Sequence, residues 1–103
     1  MKLLYKISII ILFLHHDHSF ALANPASLYC AQVGGKTIIE TLPSQGEIGI
    51  CLFRKHYECE EWALFRKNCP IGGINTEHLN KEERYCMIRG GKPIKTQCVV
   101  PTL

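Results

Sequence analysis

The stretch Asn24–Ile38, NPASLYCAQVGGKTI, decides the fold, because it recurs 56 positions later as Asn80–Ile94, NKEERYCMIRGGKPI. Seven of the 15 positions are identical, including the leading asparagine, the cysteine and the double glycine. In each copy the asparagine is a good helix N-cap, and the glycine pair can end the helix before a strand begins. We therefore predict two related units, the second truncated because Pro93 and the few residues after it leave no room for another helix.

The residues between the two copies predict a β-hairpin and a second helix. Strands are expected over Lys36–Leu42 and Ile48–Phe53, with Pro43–Gly46 as the turn between them. The polar residues Arg54–His56 then form a tip before the extended segment Tyr57–Cys59.

The second helix is expected over Glu60–Lys67, since acidic residues at its start and basic residues at its end suit the helix dipole. Trp62 and Phe65, together with Leu64, are predicted to form its buried face. The predicted fold class is thus small disulfide-rich α+β: a short helix, a β-hairpin, a short helix and then a truncated second helix-strand copy.

The N-terminal residues have the order of a secretory signal. Two lysines lie within Met1–Lys6, an apolar run follows over Ile7–Leu14, and Ala21-Leu22-Ala23 is the small-x-small pattern of a cleavage site. We expect a cleaved signal peptide over 1–23, with cleavage after Ala21 as the alternative. The apolar run is far shorter than the roughly 20 residues of a membrane-spanning helix, so no stable membrane insertion is expected. The protein is predicted to be exported, either periplasmic or secreted.

The remaining chain, 24–103, is predicted to be a single disulfide-stapled domain. It comprises the first unit, residues 24–73, and the second unit, residues 74–103, which is expected to dock on the first. Ten basic and eight acidic residues leave it a net charge of +2. That balance is too weak to predict a nucleic acid partner.

All six cysteines follow the predicted cleavage site, and an even number in a short exported chain is typical of a disulfide framework. The repeat makes Cys86 and Cys98 the counterparts of Cys30 and Cys51. It therefore favours the pairs Cys30–Cys51, Cys59–Cys69 and Cys86–Cys98. A rival arrangement joins Cys51 to Cys59 and Cys30 to Cys69, because a continuous second helix would hold Cys59 and Cys69 about 15 Å apart.

No pattern in the sequence predicts catalysis, a metal or a cofactor. The cluster His15–His18 lies in the predicted signal peptide. A zinc site from His56 with cysteines 51, 59 and 69 competes with disulfide formation, which an oxidising compartment favours. Glu58, Glu60 and Glu61 suit a helix N-terminus for ordinary electrostatic reasons. We therefore do not expect an enzyme.

The candidate contact surface is the cationic tip of the predicted hairpin, Arg54, Lys55, His56 and Tyr57. A rigid disulfide scaffold that presents such a tip binds with little ordering cost. This predicts a binding or inhibitory module whose partner is an envelope or extracellular protein. In a protease inhibitor, Arg54 or Lys55 would enter the pocket of a trypsin-like enzyme.

Several of these motifs together resemble a known family. They are Asn24-Pro25-Ala26-Ser27 followed by Tyr29-Cys30, then Gly34-Gly35, Gly49 with Cys51, and Glu60–Arg66. The chain is similar over 24–73 to the bacterial domain-of-unknown-function family number 333, whose members often carry the label hemolysin. Such members are small and periplasmic or secreted, often as lipoproteins, and no reaction, cofactor or catalytic residue is established for them.

The resemblance has three implications for this chain. Some relatives keep the positions of Cys30 and Cys51 without the other cysteines, which supports that pair. Arg54–His56 stands where the family often has Asp-Gly, and the lipid-bearing cysteine is absent. The label implies an alternative function, a membrane-active hemolysin-like factor, against which the lack of a long apolar segment or a strongly basic amphipathic helix after residue 23 argues.

Overall fold

A computed structural model describes residues 24–44 and 46–101, and the predicted signal peptide, 1–23, lies outside the described residues. The elements follow the predicted order. They are helix α1 (Pro25–Gln32), strands β1 (Lys36–Thr41), β2 (Glu47–Arg54) and β3 (Tyr57–Glu60), helix α2 (Glu61–Phe65), strand β4 (Ile74–Asn75), helix α3 (Lys81–Ile88) and strands β5 (Lys92–Ile94) and β6 (Gln97–Val99). The fold class is therefore small disulfide-rich α+β, as the sequence predicts.

Helix α1 begins and ends through the residues that the sequence singles out. The side chain of Asn24 accepts a hydrogen bond from the Ala26 N–H at 2.9 Å, and Pro25 occupies the first turn. This satisfies one of the N–H groups that every helix start leaves unpaired. At the other end Gly34 takes a φ of 95°, which glycine adopts without steric cost. The chain can therefore turn directly into β1.

Strands β1 to β4 form one antiparallel sheet in chain order. Cys51 on β2 lies opposite Cys59 on β3, so both side chains point to the same face of the sheet. The disulfide from Cys51 to Cys30 brings α1 to this face. Glu58 points to the other face, where it binds Arg84 of α3. The sheet therefore separates α1 from α3.

Each disulfide joins one cysteine to the next cysteine along the chain. The pairs are Cys30–Cys51, Cys59–Cys69 and Cys86–Cys98. These are the pairs that the internal repeat favours, and the rival pairs do not occur. The first two disulfides form the core together with Ala63 and Leu64, whereas Cys98 lies at the surface. The chain reverses after α2, which brings Cys69 back to Cys59 with their Cα atoms 5.9 Å apart.

Helix α2 is shorter than predicted and buries a different face. Its buried side chains are Glu61, Ala63 and Leu64, whereas Trp62 and Phe65 are 39% and 41% exposed. The prediction that Trp62 and Phe65 form the buried face is therefore wrong, although Leu64 is buried. The physical reason is the length of the helix: in five residues, Ala63 and Leu64 already fill the positions that face the disulfides.

The second unit repeats the local structure of the first. Asn80 caps α3, accepting from the Glu83 N–H at 2.8 Å while the Glu83 side chain accepts from the Asn80 N–H at 3.2 Å. This reciprocal pair is a capping box. Strands β5 and β6 pair antiparallel with Cys98 opposite Pro93. Cys51 lies opposite Thr37 in the first unit, so the two hairpins place their cysteines in the same register.

The second glycine of each pair lies against its unit's disulfide. A Cβ added to Gly35 would lie 2.2 Å from Cys51 Sγ, and a Cβ added to Gly91 would lie 2.5 Å from Cys98 Sγ. Neither position has room for a side chain. The recurrence of the glycine pair in the sequence therefore reflects the same close approach of helix, strand and disulfide in both units.

Candidate functional site

The candidate contact surface lies at the turn between β2 and β3. We call residues Arg54–Tyr57 the β2–β3 tip. Lys55 and His56 form its two-residue turn, in which His56 takes a φ of 66°. Arg54, Lys55 and His56 are exposed, whereas Tyr57 is half-buried. The guanidinium carbon of Arg54 lies 3.9 Å from the centroid of the Tyr57 ring, which is a cation–π contact.

The backbone of the β2–β3 tip is held by the residues around β4. The carbonyl oxygen of His56 accepts hydrogen bonds from the Thr76 N–H at 2.8 Å and from Thr76 Oγ1 at 3.2 Å. Thr76 itself is buried, and Asn75 on β4 pairs with Tyr57. The turn is therefore fixed from the side while its cationic side chains project into solvent.

The charges of the β2–β3 tip are not neutralised by the rest of the described chain. Both ion pairs found among residues 24–44 and 46–101 involve Arg84. Arg54 and Lys55 therefore enter no ion pair there. The tip presents its positive charge to whatever molecule approaches it.

Glu61 ties α1 to α2. Its buried carboxylate accepts hydrogen bonds from Asn24 Nδ2 at 3.1 Å and from Ser27 Oγ at 2.8 Å. A Cβ on Gly49 would lie 2.4 Å from the Glu61 carboxyl carbon, so only glycine leaves space for this side chain. Asn24, Ser27, Gly49 and Glu61 are all motif residues of the family resemblance. They form one structural contact, in which both oxygens of the carboxylate are used.

Glu60 binds the start of α2 rather than α1. Its side chain accepts hydrogen bonds from the Trp62 N–H at 2.8 Å and the Ala63 N–H at 3.0 Å, and so caps α2. Glu60 is therefore engaged locally, as the electrostatic interpretation of the sequence expects, whereas Glu58 and Glu61 are bound by residues distant in the sequence.

Arg84 of α3 binds two carboxylates of the first unit. Its Nη1 and Nη2 donate to the two oxygens of Glu40 at 2.9 and 2.6 Å, and its Nε donates to Glu58 Oε1. Glu58 also accepts from Thr76 Oγ1 at 3.2 Å. The hydrogen bonds from Arg84, opposed in part by burial, hold the pKa of Glu40 below its ordinary value. The same two carboxylates raise the pKa of Arg84.

Sequence reasoning missed this cluster. Arg84 lies 44 positions from Glu40 and 26 from Glu58, and no spacing pattern connects them. The repeat gave no hint either, because Leu28 stands at the position of the first unit that corresponds to Arg84.

Three aromatic side chains form a second surface feature, which we call the aromatic ridge: Tyr29, Trp62 and Phe65. Phe65 meets Tyr29 edge-to-face at 5.8 Å between ring centroids and meets Trp62 in the same way at 5.7 Å. Such pairs stabilise each other beyond their buried area. The ridge explains how two large half-exposed aromatic residues are held in place at the surface.

The cysteines of the hypothetical zinc site are all in disulfides. Cys51 is bonded to Cys30, and Cys59 is bonded to Cys69. No thiolate is therefore present beside His56 to bind a metal or to act as a nucleophile. Over 24–44 and 46–101, no helix combines the length and apolar character needed to cross a membrane.

The fold and the cysteine pairing thus define a small disulfide-rich α+β module. Residues 21–68 match the family described as "Domain of unknown function (DUF333)". The match confirms the motif resemblance over this segment. It contains α1, β1 to β3, α2 and the Cys30–Cys51 disulfide, whereas Cys69 and the whole second unit follow it.

The chain is also similar to curated proteins. The chain is 43% identical over 51 residues to the "Uncharacterized protein YoaF" of Escherichia coli strain K12 and to the protein of that name from Shigella flexneri. The match covers 50% of this chain and 60% of each relative. The chain therefore spans less than two thirds of the relatives' length. No solved structure gives a significant match.

Proposed function

We propose that the protein is an exported binding module, rather than an enzyme, and that its β2–β3 tip contacts an acidic surface on an envelope or extracellular protein. The observation that carries the proposal is the charge of the tip. Arg54 and Lys55 are exposed next to His56 and form no ion pair within the described chain. Unpaired surface charges of one sign steer association with a partner of opposite charge.

The rigidity of the β2–β3 tip supports the same proposal. Its backbone is fixed by Thr76, and the Cys59–Cys69 disulfide lies at the base of β3. A loop that is already ordered loses little conformational entropy when it binds. The free energy of the contact is then available for affinity instead of for ordering the loop.

The state of the cysteines supports binding over thiol chemistry. All six are in disulfides, so the chain in this form has no thiol that could act as a nucleophile. Glu58, Glu60 and Glu61 each have hydrogen-bond partners within the protein.

A retention experiment tests the role of Lys55. The full exported protein is immobilised and exposed to envelope and culture-medium fractions of a bacterium that carries it, and the retained proteins are quantified by mass spectrometry. Lys55→Glu reverses one charge of the tip and is expected to reduce retention of the partner at least about tenfold, since a loss of 1.4 kcal/mol corresponds to that factor. Lys92→Glu is the matched control, because Lys92 is also exposed but lies on β5 of the second unit. Equal retention by the two variants would contradict the proposal.

The inhibitory form of the proposal makes Lys55 the residue that enters a basic-specific protease pocket. Arg54 is the weaker candidate because its guanidinium group already lies over Tyr57. We expect the wild-type protein to slow peptide hydrolysis by trypsin and Lys55→Ala to abolish the effect. If the wild-type protein leaves trypsin activity unchanged, the inhibitory form fails while the binding proposal stands on the retention experiment.

The aromatic ridge favours a second candidate function, contact with a lipid surface. Half-exposed aromatic side chains are enriched at membrane interfaces. Trp62 is the only tryptophan of the chain, so its fluorescence reports directly on this surface. A blue shift with anionic vesicles, together with dye release, would support the membrane-active alternative; we expect neither at micromolar protein.

A further inference from the structure

Strand β1 is an edge strand of the sheet that the described residues form. The sheet order is β1-β2-β3-β4, and within the described ranges β2 is the one strand that pairs with β1. β1 has six residues, Lys36–Thr41, no proline and an unbroken register with β2. The opposite edge, β4, has only two residues. Natural proteins usually protect a long regular edge because its unpaired N–H and C=O groups attract another strand.

The side chains of β1 also suit pairing with another strand, on both faces of the sheet. Side chains alternate along a strand, so Lys36, Ile38 and Glu40 share the face that carries α3, whereas Thr37 and Ile39 share the face that carries α1. Ile38 is 39% exposed and Ile39 is 58% exposed. The edge therefore presents one accessible isoleucine on each face beside its free backbone groups.

We propose that β1 is the contact strand of a homodimer, in which two copies of this chain pair their β1 strands antiparallel about a twofold axis. In an antiparallel pair, directly opposite residues point to the same face of the sheet. Because side chains alternate along a strand, residues that lie opposite each other in a symmetric pair differ by an even number of positions. One residue therefore lies opposite its own copy at the twofold axis. Only Ile38 or Ile39 can occupy that position while five residues of each strand are paired.

The charges on β1 select Ile38. With Ile38 facing itself, Lys36 lies opposite Glu40 of the partner subunit, and the symmetry repeats this pair at the other end of the interface. With Ile39 facing itself, Ile38 would lie opposite the charged Glu40 of the partner subunit. Opposite charges directly across two strands stabilise the pairing, and an apolar residue opposite a charge does not.

The position of Glu40 is fixed before any partner arrives. Arg84 binds both of its carboxylate oxygens, while 41% of the side chain stays exposed. Each oxygen can accept a further hydrogen bond from a lysine. The complementary ends, Lys36 and Glu40, belong to the same strand, and this self-complementarity is what identifies the partner as a second copy of this chain.

A contact through one six-residue strand is small compared with the interfaces of permanent dimers. We therefore expect a reversible dimer. In sedimentation equilibrium the apparent mass of the full exported protein should rise with concentration from that of one chain toward that of two.

Charge substitutions test the register. Ile38→Lys and Ile38→Glu each place like charges against themselves at the axis, so each variant alone should stay monomeric at concentrations where the wild-type protein is dimeric. An equimolar mixture of the two variants should recover the dimer, because Lys then faces Glu. Ile39→Lys is the matched control, since its new charge would lie opposite Thr37 of the partner subunit, and it should dimerise within about threefold of the wild-type affinity.

Cysteine substitutions give a second readout that does not depend on affinity. In an antiparallel pair the Cα atoms of facing residues lie about 4.5–5.5 Å apart, within the range of a disulfide. Ile38→Cys should therefore form a covalent dimer under mild oxidation. The two positions 39 would lie about 8 Å apart, two residues out of register, so Ile39→Cys should not.

Three results would overturn the proposal. The first is a wild-type protein that stays monomeric at millimolar concentration. The second is that Ile38→Lys alone and Ile38→Glu alone dimerise as well as the wild-type protein. The third is a cross-link that forms with Ile39→Cys but not with Ile38→Cys. Circular dichroism and the mass of the disulfide-bonded chain confirm that each variant is folded.

Discussion

Replacing Cys30 and Cys51 together by alanine is expected to lower the free energy of unfolding by about 2–5 kcal/mol, the usual cost of losing a native disulfide from a small exported domain. Both residues are fully buried, and their disulfide joins α1 to the central strand of the first unit. A chain of this size has little stability to spare. We therefore expect the variant to be largely unfolded at 37 °C, as measured by chemical denaturation followed by Trp62 fluorescence.

Cys86→Ala with Cys98→Ala is the matched control, since it removes the equivalent disulfide of the second unit. The two loops enclose 21 and 12 residues of sequence separation, a difference that changes the loop-closure term by only about 0.5 kcal/mol. Any larger difference must come from burial, because Cys98 is exposed. The first unit of the control should therefore stay folded. If both double variants lose equal stability, burial of the first disulfide does not have the importance that we assign to it.

Arg84→Met is expected to lower the free energy of unfolding by about 2–3 kcal/mol. The substitution keeps the length of the side chain but leaves the carboxylate of Glu58, which is 10% exposed, without its charged partner. Breaking a fully buried ion pair costs about 3–5 kcal/mol, and the smaller value here reflects the 25% exposure of Arg84. Arg89→Met is the matched control. Arg89 directly follows α3, and its substitution removes a cation–π contact with Tyr85, so it should cost less than about 1 kcal/mol.

Arg84→Met should also change how the free energy of unfolding depends on pH. The pKa of Glu40 is lowered in the folded protein from its ordinary value of 4.5, so its contribution is present above about pH 4.5 and is lost as the pH falls through the lower folded pKa. The wild-type protein should therefore lose stability in acid, and Arg84→Met should lose less over that range. Denaturation midpoints between pH 7 and pH 3 measure this; parallel curves for the two proteins would exclude a contribution from Glu40.

The parts of the fold that the sequence predicts are those that depend on neighbours along the chain. Asn24 and Asn80 cap helices, and the glycine pairs end them, because capping and chain reversal involve residues only a few positions apart. The pairing of Cys86 with Cys98 was also accessible, since the repeat preserves the order of helix, glycine pair and strand.

The parts that the sequence did not predict depend on contacts between distant residues. Trp62 and Phe65 have the spacing of a buried helix face. Which face of α2 is buried depends, however, on how the helix packs against the disulfides, and there Ala63 and Leu64 fill the core. The partners of Arg84 likewise follow from the docking of α3 on the sheet. For the β2–β3 tip the residues were identified from sequence, but its support by Thr76 was not, because strand β4 is too short to leave a pattern.

The arrangement of the disulfides affects how the chain can mature. Each one joins a cysteine to the next cysteine along the chain, and no disulfide encloses or crosses another. If the chain is exported as proposed and is oxidised from its N-terminus onward as it crosses the membrane, each cysteine meets its correct partner before any later cysteine appears. Such a chain needs an oxidant but no reshuffling enzyme, so the slow isomerisation steps that delay many cysteine-rich proteins are not required.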